Sequence, residues 1–341
     1  MRISKLETLR LAGFCIELEN LEDILQSSPS LRHLELNGCG SEVLDVALFH
    51  CKMLEIITLN GYMPYIDYSL VSDSQSPKQY ETGVRILTAT IDNIECFTGL
   101  FALHCHTIEV LSLNMTAPPL HQWMSLMNTF RELSNLTHLI LRCTDNAACT
   151  AAAALIRKSP ALLSIKFNTA IKVTEQDLAR AIVAVPRLQS LHFTNAKFPG
   201  LNLQTLFQGL AAKNTRHSTL QHLSLSFIEW DDTHLTVVSV FDCLSDIVSL
   251  QTIEIVQCRA ITESIINRFC QKMQQHPSIE AITFDSLDCF TDESLKYLAA
   301  IKRLELLKLF SVKTITDQGL EVFNETTIEL VVRACSGTSD R

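Results

Sequence analysis

The stretch that decides the fold is LETLRL, from Leu6 to Leu11, a phrase with the pattern Leu-x-x-Leu-x-Leu. The pattern returns along the whole chain in thirteen copies, whose first residues lie 23 to 32 residues apart. The copies begin at Leu6, Leu31, Leu54, Val84, Ile108, Leu136, Leu162, Leu188, Leu220, Leu250, Ile279, Leu304 and Ile328, the last being the degraded IELVVR. A fixed period of this size predicts one array of stacked repeats.

Within each phrase, positions one, four and six are predicted to point into the core, and positions three, five and seven to face outward. One repeat cannot bury its apolar edge alone, so neighbouring repeats must stack and their strands pair in parallel. This period is typical of leucine-rich repeats. The predicted fold class is therefore α/β: a leucine-rich-repeat solenoid, a right-handed horseshoe of about 12–13 repeats with a parallel concave sheet and helices on the convex side. We expect a single domain over residues 1–335 and a short tail over 336–341.

Proline marks several of the predicted corners between helix and strand. Pro29, Pro160, Pro186 and Pro277 each stand two residues before the next phrase, where a residue without an N–H cannot continue a helix. The stretch 61–83 shows no helical pattern and holds four of the chain's five tyrosines. It is either a surface loop that replaces a helix or a contact loop. Because tyrosine is enriched at interfaces, Tyr65 and Tyr68 are candidate partner-binding residues.

Composition limits the classes of partner. The formal net charge is −9 and the pI is about 5.7, which argues against nucleic acid or an anionic membrane as the main partner. The sequence has no run of eighteen apolar residues, and its first residues already belong to the first repeat, so we predict neither a membrane helix nor a signal peptide. Twelve cysteines without a compact disulfide framework fit a reducing compartment. We therefore expect an intracellular protein, cytoplasmic, nuclear or both.

Motifs of catalysis are absent from the sequence. It contains no phosphate-binding glycine motif, no Gly-x-Ser-x-Gly elbow and no His-Glu-x-x-His helix. His104, Cys105 and His106 come closest to a metal cluster, but adjacent residues point in different directions and no second pair stands at ligand spacing. We predict no catalytic residue, no metal, no cofactor and no enzymatic activity.

The last third of the chain carries a more specific pattern. After three phrases it approaches the motif Leu-x-x-Leu-x-Leu-x-x-Cys-x-x-Ile-Thr-Asp-x-x-Leu. The matching residues are Cys258, Ile261, Thr262 and Ile266, then Phe290, Thr291, Asp292 and Leu295, then Ile315, Thr316, Asp317 and Leu320. The cysteine slot itself is kept at Cys39 and Cys258, and is filled by Leu287 and Val312 elsewhere.

These residues resemble the cysteine-containing subtype of leucine-rich repeat, within the ribonuclease-inhibitor-like type. The subtype is typical of F-box proteins, the substrate receptors of cullin-based (SCF) ubiquitin ligases. The resemblance implies substrate recognition by the repeats, and it implies a ligase adaptor as partner only if an F-box exists upstream. An F-box usually stands ahead of the repeats, whereas the first phrase here begins at Leu6. We therefore expect a fragment or a truncated gene model.

The outward positions of the strands are where a partner is expected to bind. Early repeats present an apolar and hydroxyl-rich strip, and later ones become acidic at Glu254 and Asp285. The strip consists of Ile56, Thr58, Ile86, Val110 and Ser112. The middle repeats present the candidate partner-binding residues His138, Ile140, Arg142, Lys166, His192 and His222. Lysine, arginine and histidine on an acidic protein predict a dock for an acidic or phosphorylated segment of another protein.

The leading functional hypothesis is a protein-interaction scaffold, with the role of an F-box-type receptor's substrate-recognition repeats. The alternative is a Ran-type GTPase-activating regulator, which resembles this chain in length and in its intracellular repeats. That class needs an arginine or asparagine on a repeat-edge loop and usually has an acidic tail, whereas this tail is CSGTSDR. An extracellular recognition module is a third option, disfavoured by the free cysteines and the missing signal peptide.

Overall fold

The computed structural model describes residues 5–13, 17–61, 83–91, 100–101, 103–115, 120–129, 132–169, 176–198, 200–213, 219–230 and 234–335. The chain divides into two compact units, Met1–Leu162 and Leu163–Arg341, here called the first and second unit. Each unit is described by itself. The single domain expected over residues 1–335 stays a prediction.

In the first unit, the described residues form six strands and four helices. In chain order these are β1 (Thr8–Ala12), α1 (Leu18–Gln26), β2 (His33–Asn37), α2 (Ser41–His50), β3 (Ile56–Asn60), β4 (Ile86–Ile91), β5 (Val110–Met115), α3 (Leu120–Thr129), β6 (His138–Cys143) and α4 (Asn146–Arg157). The strands pair in parallel in the order of the chain. This order is what successive repeats that stack on one another must produce.

The described part of the second unit repeats the same plan. Its elements are β7 (Ser164–Thr169), α5 (Gln176–Ala184), β8 (Ser190–Thr194), β9 (Lys197–Phe198), α6 (Gly200–Lys213), β10 (His222–Ser226), β11 (Glu229–Trp230), α7 (His234–Ser245), β12 (Thr252–Val256), α8 (Glu263–Met273), β13 (Ala281–Asp285), α9 (Asp292–Ala299), β14 (Leu306–Phe310), α10 (Asp317–Leu320) and β15 (Glu329–Arg333). The repeat strands again pair in parallel, and the short strands β9 and β11 pair with each other.

The core of each unit is a set of apolar rows that cross the strands. Position four of each phrase pairs with position four of the next, and inner members such as Leu34, Leu111 and Leu223 are at most 1% exposed. The alternation of buried and accessible residues along the strands shows that one sheet face is closed by the core. The predicted fold class, an α/β leucine-rich-repeat solenoid, is confirmed.

The thirteenth phrase is shifted by one residue from the prediction. Leu330 pairs with Leu307, and Val332 pairs with Leu309, so Leu330 and Val332 occupy positions four and six. The phrase therefore begins at Thr327, not at Ile328. In this stretch apolar residues stand at both odd and even positions, so the hydrophobic pattern alone did not fix the register. A shift of one residue exchanges the two faces of a strand.

With the corrected register, Cys335 also occupies the cysteine slot. Cys335 stands eight residues after Thr327, as Cys258 stands eight after Leu250. The Cys335 thiol donates to the carbonyls of Leu309 (3.7 Å) and Arg333 (3.5 Å). The Cys258 thiol does the same in its own repeat, bonding the preceding strand and the residue two positions before it. The prediction that the slot is kept only at Cys39 and Cys258 is therefore wrong.

In nine of the described repeats the residue at position eight, here called the exit residue, turns the chain off its strand, whereas the strands β4 to β7 include their position-eight residues. In six repeats of the described second unit it has a left-handed backbone, with φ between 48° and 57°. Its N–H bonds the position-seven carbonyl of the next strand, as from Phe227 to Val256 (2.8 Å) and from Gln257 to Asp285 (2.9 Å). In the first unit, left-handed exit residues are glycines, Gly13, Gly38 and Gly61. Glycine adopts this conformation without steric cost.

Candidate functional site

The candidate site in the second unit is a group of three side chains on neighbouring strands, here called the basic cluster: Lys166, His192 and His222. Lys166 of β7 pairs in register with His192 of β8, and His222 of β10 pairs with Ser190 of β8. All three lie at outward positions, and Lys166 and His222 are exposed while His192 is half-buried. The structure therefore brings these three predicted residues together on one sheet face.

His192 is the best-defined member of the basic cluster. The Ser190 hydroxyl lies 2.7 Å from its Nε2 atom and holds the ring in place. Burial lowers the pKa of His192, and electrostatic interactions with Lys166 and His222 lower it further, whereas Glu254 raises it. The ring is therefore a neutral hydrogen-bonding group near pH 7. An anion placed between Lys166 and His192 would favour its protonated form.

Acidic side chains limit the basic cluster on one side. Ser224 of β10 separates His192 from Glu254 of β12 in the position-five row. Ser224 is only 6% exposed, so its small side chain is buried between the larger side chains of His192 and Glu254. Asp285 of β13 lies one strand beyond, at position seven, and accepts a hydrogen bond from the Ser286 hydroxyl (2.8 Å). The predicted change from basic to acidic along the second unit is present.

The other predicted residues of the middle repeats lie in the first unit. His138, Ile140 and Arg142 occupy successive outward positions of β6, and all three are exposed, Ile140 to 39%. The residues between them, Leu139, Leu141 and Cys143, are buried. The Thr137 hydroxyl lies 2.9 Å from the Nδ1 atom of His138.

The apolar strip predicted for the early repeats is also present in the first unit. Ile56 pairs with Ile86, and Ile86 pairs with Val110, so the three form one row across β3, β4 and β5. Thr58 and Ser112 both pair with Thr88 in the adjacent row. All these residues are half-buried, which leaves apolar surface accessible next to hydroxyl groups.

A ladder of charges at position two was not predicted. In the first five repeats this position holds Glu7, Arg32, Glu55, Arg85 and Glu109, which alternate in sign. Arg32 pairs with Glu55, and Arg85 makes two hydrogen bonds to Glu109, at 2.8 and 2.7 Å. The hydrogen bonds from Arg85 lower the pKa of Glu109. The alternation was readable in the sequence once position two of each phrase had been aligned.

Other predicted features are outside the basic cluster or outside the described chain. Tyr65 and Tyr68 fall in residues 62–82, which lie outside the described residues, so their role stays a prediction. His104 is buried, which lowers its pKa to about 4, whereas His106 is exposed. Among the described residues no group of three His, Cys, Asp or Glu side chains is placed to hold a metal ion. None of the helices in the described ranges is long and apolar enough to cross a membrane.

These features define the class of protein by its fold: leucine-rich repeats with one accessible sheet face in each unit. No protein-family model matches the sequence, and no curated protein matches it. Among solved structures, the fold is similar to one in the crystal structure of the Rad7 and Elc1 complex in yeast, with 13% sequence identity and a TM-score of 0.52. That match covers 94% of this chain and 80% of the other.

A second similar structure is that of the TLR13–ssRNA13 complex. Its sequence identity is 15% and its TM-score is 0.48, and the match covers 99% of this chain and 54% of that one. At 13% identity the similarity to the structure from the Rad7 and Elc1 complex shows the fold alone, and nothing is argued from the TLR13 match.

Proposed function

We propose that this chain is a protein-interaction scaffold that binds its partner on the accessible sheet face and acts by binding, without catalysis. The observation that carries the proposal is the basic cluster, where Lys166, His192 and His222 meet on three neighbouring strands. Their backbone positions are fixed by parallel pairing, so the side chains need little reorganisation when a partner binds.

The partner's chemistry follows from the charges of the basic cluster. A lysine ammonium and two imidazoles next to hydroxyl groups favour an anionic side chain, from an acidic or a phosphorylated segment. Glu254 and Asp285 repel such a group, so they restrict it to the strands β7 to β10. The formal charge of −9 supports a protein partner in preference to nucleic acid or a membrane surface.

The finer proposal is that the repeats recognise substrates for an F-box-type (SCF) ubiquitin ligase. It is supported by the resemblance of the last repeats to the cysteine-containing subtype, and the corrected slot at Cys335 extends that resemblance. It is also compatible with Rad7, which has the same fold and is seen in a complex with a second protein, Elc1. A cytoplasmic or nuclear location belongs to the same proposal.

Quantitative affinity capture tests the scaffold proposal. The chain and its Lys166→Glu variant are used as baits in cell extract, and retained proteins are compared by mass spectrometry. The matched control is Lys308→Glu, because Lys308 occupies the same position-five row on β14, beyond the acidic residues. We expect Lys166→Glu to lose at least one specific partner that Lys308→Glu retains. Equal capture by all three baits would refute the role of the basic cluster.

The ligase proposal has a separate test. The product of the longest reading frame of the gene is expressed with a tag, and its associated proteins are identified. We expect cullin and the adaptor subunit among them, together with an F-box in the sequence upstream of Met1. A reading frame without an F-box, whose product captures no ligase subunit, would reject this role while leaving the scaffold proposal standing.

A further inference from the structure

Phe227 is an unexpected exposed aromatic residue at a strand exit of the second unit. It is the exit residue of β10, with φ of 57°, and its side chain is 43% exposed. A bulky side chain in the left-handed region is a true outlier, because its Cβ approaches the following carbonyl oxygen. The other left-handed exit residues of this unit are Asn195, Gln257, Ser286, Ser311 and Ala334, all smaller or more polar.

Neither folding nor solubility explains phenylalanine at this position. The turn needs only a backbone N–H, which Phe227 donates to the carbonyl of Val256, and a glycine would supply it at lower steric cost. With 43% of its surface exposed, Phe227 leaves a large part of its apolar area in contact with water. Strained backbone conformations tend to cluster at binding sites. Exposed aromatic side chains in such sites often dominate the affinity.

The surroundings of Phe227 link it to the basic cluster. It follows Ser226 directly on the strand that carries His222, and Val256, half-buried, is the neighbouring accessible apolar residue on β12. Strand spacing and rise place the Phe227 backbone about 11 Å from that of His192 and about 14 Å from that of Lys166. An extended peptide covers these distances with three or four residues.

We propose that Phe227 is the apolar anchor of a bipartite docking site, whose occupant is an extended segment of a partner protein. A carboxylate of the segment binds the basic cluster, and a large apolar side chain three or four residues away packs on Phe227 and Val256. This inference rests on the proposed function, which it makes specific. A segment with charge alone, or with apolar residues alone, would engage only half of the site.

The charges favour a carboxylate over a phosphate as the anionic group. The titratable and charged groups around His192 are Lys166 on β7, on one side, and His222 on β10 and Glu254 on β12, on the other. Lys166 supplies the one permanent positive charge among them, and the permanent negative charge of Glu254 opposes it. A dianionic phosphate is bound best by several arginine or lysine side chains, whereas one ammonium beside hydrogen-bonding imidazole rings suits a single carboxylate.

A random twelve-residue peptide library displayed on phage tests the proposal. It is panned against the full chain and against three variants: Phe227→Gly, Lys166→Glu and Gln257→Gly. Gln257 is the matched control, because it is the exit residue of the next repeat and has the same left-handed backbone. The unmodified chain is expected to enrich peptides in which an acidic residue lies three or four positions from a large apolar one.

The variants separate the two halves of the site. On Phe227→Gly the apolar preference should disappear, and the enriched peptides should bind about tenfold more weakly, while Gln257→Gly keeps both preferences. On Lys166→Glu the acidic preference should disappear. The melting temperature of Phe227→Gly should equal or exceed that of the unmodified chain, because a residue needed only for folding would lower it.

Three results would overturn the proposal. If Phe227→Gly keeps the apolar preference, the anchor is wrong, while loss of the acidic preference on Lys166→Glu would still support the proposed function. If phosphoserine peptides of the same sequence bind more tightly than their glutamate forms, the choice of carboxylate is wrong. If the unmodified chain enriches no motif, both the anchor and the proposed function are rejected.

Discussion

The two units build the same repeat with different residues at two positions. At the strand exit the first unit uses glycine at Gly13, Gly38 and Gly61, whereas the second places side chains, from Ala334 up to Phe227, in the same left-handed conformation. The backbone hydrogen bond that the exit makes is common to both units. The left-handed exit therefore does not require glycine, and the second unit tolerates its steric cost at a position from which several side chains reach solvent.

The units also differ at position two. The first unit alternates acidic and basic residues there, and the second has Gln189, Gln221 and Gln251 in three successive repeats. In both units the position-two carbonyl accepts two N–H groups from the next repeat, as Arg32 does from Glu55 and Ile56. Ion pairs thus add to a backbone pattern that the second unit forms without them. Surface pairs of this kind contribute little to stability and are weakened by salt.

Among the substitutions that test this comparison, a change at Gly38 is expected to have the largest effect on stability. Replacing it with valine puts a β-branched residue at a φ of 62°, which should lower the free energy of unfolding of the first unit by about 2 kcal/mol. The measurement is urea unfolding followed by Trp123, since the chain has two tryptophans, with Trp230→Phe as background. An unchanged midpoint would mean that the exit conformation of the first unit is not needed.

Acid should affect the first unit through His104. Burial lowers the pKa of this histidine from 6.5 to about 4, so its protonation opposes folding as the pH falls below 6.5. At about pH 5 the cost is about 2 kcal/mol, and His104→Leu should remove it. In the second unit His276 is also buried, but its hydrogen bond to the Ile247 carbonyl partly offsets the lowering of its pKa.

The measurement for His104 is the loss of unfolding free energy between neutral pH and about pH 5, with and without the substitution. Asp45 is a constant background in both proteins. Burial raises its pKa to about 6, so its contribution has the opposite sign and stabilises the folded state as the pH falls. An acid-induced loss that is the same in His104→Leu would contradict the assignment.

A smaller effect is expected from the charge ladder. Arg85→Glu would place three acidic residues in succession, because Arg85 stands between Glu55 and Glu109. Thermal unfolding at low salt should show a lower melting temperature for the first unit, and molar salt should restore it. The matched variant is Gln221→Glu in the second unit, whose neighbours in the ladder are neutral glutamines, and its melting temperature should barely depend on salt. If the melting temperatures of the two variants depended equally on salt, the charged position-two row of the first unit would not differ in this respect from the glutamine row of the second.

The smallest effect has the opposite sign. Gln257→Gly should stabilise the second unit by about 0.5 kcal/mol, because relief of the left-handed backbone exceeds the extra entropy of the unfolded chain. Trp230 fluorescence with Trp123→Phe as background reports this unit. A clear loss of stability would show that the glutamine side chain, whose amide donates to the Ser286 hydroxyl (3.4 Å), outweighs the strain.

Most of the fold was predictable because the hydrophobic phrase has a strong period. The pattern failed at the thirteenth repeat, where apolar residues stand on both faces, although the spacing of Cys335 from Thr327 carried the correct register. Glycine exits such as Gly38 were readable from the sequence. The left-handed conformation of Phe227 was not, because nothing in its residue type favours it and only the hydrogen bond to the next repeat imposes it.

The basic cluster was predictable in part. The outward positions of Lys166, His192 and His222 follow from counting along each phrase, and their adjacency follows from the parallel register. The hydrogen bond between Ser190 and His192 joins two outward residues of one phrase, but it depends on the side-chain conformations, which the hydrophobic pattern does not specify. The burial of Ser224 depends on packing across neighbouring strands, which no single phrase contains. Phe227 was not predicted, because only positions three, five and seven of each phrase were expected to face outward.

Site-specific photo-crosslinking tests most directly the claim that the sheet face of the second unit binds the partner. A benzophenone amino acid is placed at Thr194, an outward residue of β8 next to the basic cluster, or at Gln271, which is exposed on helix α8. In cell extract, we predict a discrete crosslinked partner from Thr194 that Lys166→Glu abolishes, and none of the same mass from Gln271. A partner crosslinked from Gln271 and not from Thr194 would contradict the account.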